Sequence, residues 1–329
     1  MSSRREFITL LGGAAATWPL AARAQQPTLP VVGYLNGGSP RQDELGAFHK
    51  GLGELGFVER RNVTLEYRWA DNEHSRLPDL ASDLLRHGVT IIAAFGSGAT
   101  LAAKAATATI PVVFLTGADA VEGGVVTNLS RPGGNVTGIS SMNVGVGLGL
   151  KRLGLLHELV PRVMRFGVLV QSNLSSSVLR LTVAEAQEAA AAIGRPLEVL
   201  SAGTNREIDA VFASLAQKQV DAVMVSPTYL FNDRRIQLAM SGVRYGVPMI
   251  FPDRRDAEIG GLMSYGPDYT GLNRQVGVYI GRILKGEKPG ELPVQQPTKF
   301  EMIINARTAR LMGIEVPATL LATADEVIE

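Results

Sequence analysis

Short apolar runs alternate with amphipathic stretches from residue 30 to residue 252, and this rhythm restricts the fold more than any other feature. The runs 30–35 (PVVGYL), 90–95, 111–115, 165–170, 197–200, 222–226 and 249–252 are strand-length and rich in Val, Ile and Ala. Between them lie helical stretches, such as the one carrying Leu77, Leu80, Ala81, Leu84 and Leu85. Unbroken apolar strands separated by helices of ten to fifteen residues specify βαβ units and parallel sheets covered on both faces. The segment 63–69 differs: Val63, Leu65, Tyr67 and Trp69 alternate with polar residues, as a half-exposed strand does. About five strands precede residue 141 and about four follow before residue 253, so the chain is expected to be α/β, with two doubly wound parallel-sheet lobes.

Composition removes several functions. The 329 residues include no Cys, which excludes disulfides, thiolate metal sites, a Cys nucleophile and a lipid-modified N-terminal Cys. A formal net charge of +1 offers no basic excess for nucleic acid. The first 24 residues have the form of an export signal: a charged Arg4-Arg5 start before Phe7 and Ile8, a small-residue apolar stretch, and Ala22-Arg23-Ala24 as the cleavage end. The paired arginines resemble the twin-arginine signal, with an ordinary secretory signal as the alternative. Cleavage after Ala24 leaves a chain of net charge −1. The expected product is a monomeric periplasmic protein without a lipid anchor.

In open α/β sheets ligands bind beyond the carboxyl ends of the strands, so the strand-to-helix loops are the candidate site. They follow the first, third and fourth strands (36–39, 95–100, 115–119), and in the second half they occupy 171–177, 226–232 and 252–256. Ser39, Ser97, Gly98, Thr100, Thr116 and Asp119 would hold the polar head of a solute, with Ser97 and Thr100 at a helix start suited to an anion. Asn173, Ser175, Tyr229 and Asp253 would close over it. Ser, Thr and Asn before a helix also serve as ordinary caps. Asp119 or Asp253 could meet a ligand ammonium, though Asp253 stands beside Arg254 and Arg255. Tyr229, Phe231 and Tyr265 suit ligand stacking or core filling equally.

No catalytic constellation stands out. His49, His74, His87 and His157 lie in or near predicted helices without metal-ligand spacing, which suits surface or capping roles. No cofactor or metal is expected. Gly51-Leu52-Gly53-Glu54-Leu55-Gly56 matches a dinucleotide fingerprint in letters only: it ends a helix instead of following a strand, and Gly56 reads as the residue that stops it.

Eight blocks together resemble one family. They are NGGSP (36–40), ELGFVE (54–59), NVTLEYRW (62–69), AAKAAT (102–107), RPGGNVTG (131–138), GGLMSYG (260–266), GRILKGEKP (281–289) and LPVQQPTKFE (292–301). The chain resembles the ABC transporter substrate-binding proteins that include tryptophan and tyrosine binders. The resemblance implies a type I periplasmic-binding-protein architecture, two lobes joined by three crossover segments. It also implies a non-enzymatic protein that captures a small solute, such as an amino acid or similar carboxylate-bearing metabolite, by hinge closure and hands it to a cognate ABC permease. On that plan residues 25–140 and 267–292 form the first lobe, and residues 141–266 and 293–329 the second. Two loops depart from the family pattern, Gln171–Ser177 and the Asp-Arg-Arg-Asp segment at 253–256. An aromatic amino-acid ligand is therefore not carried over. The alternatives are a ligand-sensing module for a membrane kinase or chemoreceptor, and an exported α/β hydrolase, which would need a His within reach of Ser97 or Asp119.

Overall fold

A computed structural model of the chain describes residues 29–117, 119–141, 147–174 and 176–329. The signal expected at residues 1–24 and Ser175 lie outside the described residues.

The first sheet is built from β1 (Val31–Asn36), α1 (Gln42–Glu54), β2 (Thr64–Trp69), α2 (Leu77–Arg86), β3 (Ile91–Phe95), α3 (Ser97–Ala106), β4 (Val112–Thr116) and β5 (Val136–Ser140). Its strand order is β2-β1-β3-β4-β5, with every pair parallel. The unbroken apolar runs are explained by burial on both faces. Ile91, Ala93 and Phe95 face one core with Phe48 and Leu52 of α1, while Ile92 and Ala94 face another with Leu84 of α2 and Ala103 of α3.

The second sheet begins with α4 (Leu148–Leu159), β6 (Phe166–Gln171), α5 (Ser176–Ile193), β7 (Leu197–Ala202), α6 (Asn205–Ser214) and β8 (Ala222–Val225). It continues with α7 (Tyr229–Asp233), α8 (Arg235–Tyr245), β9 (Met249–Phe251), α9 (Arg254–Glu258) and β10 (Met263–Pro267). Then the chain returns: α10 (Tyr269–Leu284) packs on α1 and on β3, β4 and β5 of the first sheet. The last elements are β11 (Phe300–Asn305), α11 (Ala306–Leu311), α12 (Ala318–Thr323) and β12 (Glu326–Ile328). The second sheet runs β12-β11-β10-β9-β8-β6-β7.

The two α/β lobes are thus mostly parallel sheets, crossed by the chain after β5, after β10 and before β11. The third passage stays tied to the first sheet as far as Gln295, whose N–H donates to the Gly138 carbonyl at 3.0 Å and whose carbonyl accepts from the Ser140 N–H at 2.9 Å.

Two local expectations change. The second sheet is not wholly parallel: β10 and β11 run antiparallel, with Met263 opposite Ile304, because β11 enters from the first lobe at the opposite end. The loops read at 226–232 and 252–256 are largely helical. Thr228 caps α7 and Asp253 caps α9 through their side-chain oxygens, so those polar residues do start helices. The chain ends in two short helices and an edge strand, β12, paired parallel to β11.

Candidate functional site

The carboxyl ends of β1, β3 and β4 face those of β6, β8 and β9 across a cavity of about 360 Å³. Parallel strands end on the same side of their sheet, so every strand-to-helix loop of each lobe is delivered to the same seam. The first lobe contributes Gly37, Gly96, Ser97, Gly98 and Leu115 to the wall, and the second contributes Gln171, Ser226, Tyr229 and Pro252.

At the centre stands the N-terminus of α3. Its cap is Gly96, which has no side chain to satisfy the first turn. Gly96 itself is fixed by its N–H donating to the Leu115 carbonyl at 2.8 Å and by the Thr100 hydroxyl donating to its carbonyl at 2.9 Å. The Ser97 hydroxyl is hydrogen-bonded to the Thr116 hydroxyl at 2.9 Å. Ser97, Gly98 and Ala99, the first three residues of the helix, all line the cavity. Their N–H groups have no acceptor within the helix, and the helix dipole adds positive potential there.

From the second lobe, Tyr229 inserts into the first. Its ring rests on the backbone of Gly38 and Gly96: a Cβ on Gly96 would stand 2.6 Å from the ring's Cε2, and one on Gly38 would stand 2.9 Å from its Cγ. The Arg41 guanidinium lies 6.0 Å from the ring centroid. Burial pushes the Tyr229 hydroxyl far above its ordinary pKa, so it stays protonated.

Charges pin the seam. Arg255 of α9 bonds to Asp253 beside it and reaches across to Asp43 and, at 3.3 Å, to Glu44 of α1. Arg41 also bonds to Glu44. Glu44, the only carboxylate residue among those that line the cavity, is therefore held by two guanidiniums. Asn72 donates to Asp233 at 2.8 Å, and Asn173 donates to the Asn72 carbonyl at 3.2 Å, each across the seam.

Of the residues singled out in the sequence, Ser97, Gly98 and Tyr229 border the cavity. Thr100 and Thr116 stand behind Gly96 and Ser97 and hold them. Asp119 accepts from the N–H groups of Val121 and Glu122 at 2.7 and 2.8 Å, capping a turn. Asp253 caps α9 and is paired with Arg255; burial would raise its carboxyl, and the guanidinium holds it below its ordinary value. Asn173 is exposed and ties the lobes together. Ser39 follows the turn after β1 and is not in the cavity wall. Tyr265 stacks on Phe300 with ring centroids 6.0 Å apart, against the second lobe's core and away from the cavity.

Among the wall residues not singled out as ligand contacts are His74, Gln171, Ser226 and Asn273. His74 had been given a surface or capping role. It instead lines the cavity from a short 3-10 turn after β2, and burial lowers its pKa below the ordinary value, which keeps it neutral. No local pattern marks it, because its position is set by the second lobe closing over it. Its Nε2 lies 3.4 Å from Gln171 Nε2. Among the described residues the Ser97 hydroxyl bonds to Thr116 and not to His74, so the nucleophile–base pair of a hydrolase is not assembled.

A two-lobed α/β protein that surrounds a cavity from both sides has the form of a solute-binding protein. The chain belongs to the ABC transporter substrate binding protein family, which it matches over residues 32–328. Among characterised relatives, it is 26% identical over 271 residues to the tyrosine-binding protein of Clostridioides difficile, covering 82% of this chain and 76% of that one. Among solved structures, a conserved domain protein from Vibrio cholerae superimposes with a TM-score of 0.82 at 23% identity, covering 91% of this chain and all of that one. An ABC domain from Streptococcus pneumoniae in complex with L-Trp gives a TM-score of 0.79 at 24% identity, covering 92% and 100%. These likenesses establish the type I periplasmic-binding-protein fold. Members of this family are the substrate-binding proteins of ABC transporters, and that is the function of this chain.

Proposed function

We propose that the solute is a small carboxylate-bearing metabolite, of amino-acid size, held with its carboxylate at the N-terminus of α3. The observation that carries this is the side-chain-free cap at Gly96, which leaves three helix-start residues in the cavity wall. Among the described residues no Lys or Arg lines the wall, so the backbone is the source of positive potential in direct reach. The apolar part of the solute rests on Leu77, Leu101, Leu115 and Leu174. In this reading Ser97, Gly98 and Tyr229 touch the ligand. Thr100 and Thr116 brace them, while Asn173 and Asp253 act on closure. Residues 25–140 with 267–292, and 141–266 with 293–329, are the two bodies of the hinge, save that residues 293–295 stay with the first, to which Val294 and Gln295 are bonded.

The protein works outside the cytoplasm, exported by its twin-arginine-like leader with cleavage after Ala24, and delivers its solute to a cognate permease in the inner membrane. The Arg4-Arg5 start and the Ala-Arg-Ala end support this. The relatives named above for tyrosine and L-Trp support a ligand of this size.

Thermal-shift titration of the mature protein against a panel of small carboxylates tests the reading. A saturable rise in melting temperature with at least one carboxylate is expected. Stabilisation only by solutes without a carboxylate, or by none, would reject it.

A further inference from the structure

Three residues in the cavity wall carry a buried polar side-chain atom with no partner: Gln171 Oε1, Ser226 Oγ and Asn273 Oδ1. Each residue is at least nine-tenths buried, at 0%, 4% and 2% exposure. Buried polar groups in folded proteins are nearly always paired, so three orphans around one cavity mark what its occupant must supply.

The chemistry of these atoms is fixed by their neighbours. Asn273 Nδ2 donates to the Tyr269 carbonyl at 2.8 Å, which accepts only, so the oxygen must be the free end. Asn173 Nδ2 donates to the Asn72 carbonyl, which turns Asn173 Oδ1 toward Gln171. Gln171 must then donate with Nε2, as it does at 2.6 Å, leaving Oε1 free. The cavity thus offers two oriented amide acceptors, one from each lobe, and a hydroxyl.

Among the described residues no free carboxylate joins them. Asp119 is spent on a turn, Asp253 on Arg255, and Glu44 on Arg41 and Arg255. An ammonium buried there would lose its water without gaining an opposite charge, whereas a hydroxyl loses far less and still donates to one of these acceptors. Resting on the carboxylate reading above, we propose that the solute is a hydroxylated monocarboxylate such as a 2-hydroxy acid, selected over the corresponding amino acid. Its carboxylate faces α3, its hydroxyl donates to Asn273 Oδ1, and its hydrocarbon lies on the leucine wall.

Calorimetric titration of the mature protein with matched triplets tests this: phenyllactate, phenylalanine and 3-phenylpropionate, then 2-hydroxyisocaproate, leucine and 4-methylpentanoate. The hydroxy acid of at least one triplet should bind more tightly than its amino acid. It should bind roughly 10- to 100-fold more tightly than the unsubstituted acid, the effect of leaving a buried acceptor unmade. Asn273→Leu should remove that advantage over the unsubstituted acid. Ser226→Ala, a milder change, should reduce it in part if Asn273→Leu fails to fold. An amino acid that binds as well as its hydroxy acid overturns this inference and leaves the carboxylate reading standing, as does equal binding of the unsubstituted acid. If no carboxylate binds, both fall.

Discussion

Asp256 lies in α9 at 2% exposure, one turn from Asp253 and 3.6 Å from the Arg235 guanidinium. Burial, then the neighbouring Asp253 charge, raises its carboxyl from 3.8 to about 7. The folded state therefore holds this proton more tightly than the unfolded chain does. The resulting stability is complete below pH 3.8 and is lost as pH rises through about 7. Asp256→Asn should remove that loss: between pH 5 and pH 8 the melting temperature of the wild type should fall relative to the variant's. Equal pH dependence of the two would contradict the assignment. At the same scale, Gly96 has φ +94°, a conformation that side chains resist, and its missing Cβ makes room for Tyr229. Gly96→Ala should cost roughly 1–3 kcal/mol and weaken solute binding, measurable by denaturant unfolding and calorimetry. A glycine before a helix was visible in the sequence. That it seats an aromatic ring from the other lobe was not, because Tyr229 is 133 positions away in the chain.

Helix α10 crosses α1 so closely that a Cβ at Gly51 would overlap the Arg274 carbonyl, and one at Gly277 would overlap the Phe48 carbonyl. The glycines that imitate a dinucleotide fingerprint thus include one needed for backbone contact between helices. Gly51→Ala and Gly277→Ala should each destabilise the protein by roughly 2–3 kcal/mol or more through overpacking, read from urea unfolding midpoints. A neutral result at both positions would show that the crossing relaxes. At the level of elements, β1, β3, β4, β6, β8 and β9 were legible as apolar runs because both of their faces are buried. β10 and β12 were not. The first ends in Gly-Pro and the second is three residues at a sheet edge, so neither carries an apolar period strong enough to stand out.

Closure of the whole molecule depends on few groups. Arg255 joins the second lobe to both Asp43 and Glu44 of the first. Arg255→Ala should lower solute affinity about tenfold, mainly through faster release, since it removes contacts made only when the lobes meet. Stopped-flow dissociation would measure this, and small-angle scattering should show less compaction on ligand addition than in the wild type. Unchanged release would assign closure to Tyr229 and the Asn72–Asp233 bond instead. The class of fold and the sheet edge that frames the cavity were legible in the sequence alone, because strand and helix periods and strand-to-helix polarity are local properties. Which residues share the cavity was decided only by tertiary structure. His74, Gln171, Ser226 and Asn273 come from four separate elements in two lobes, and no local pattern records that closure brings them together.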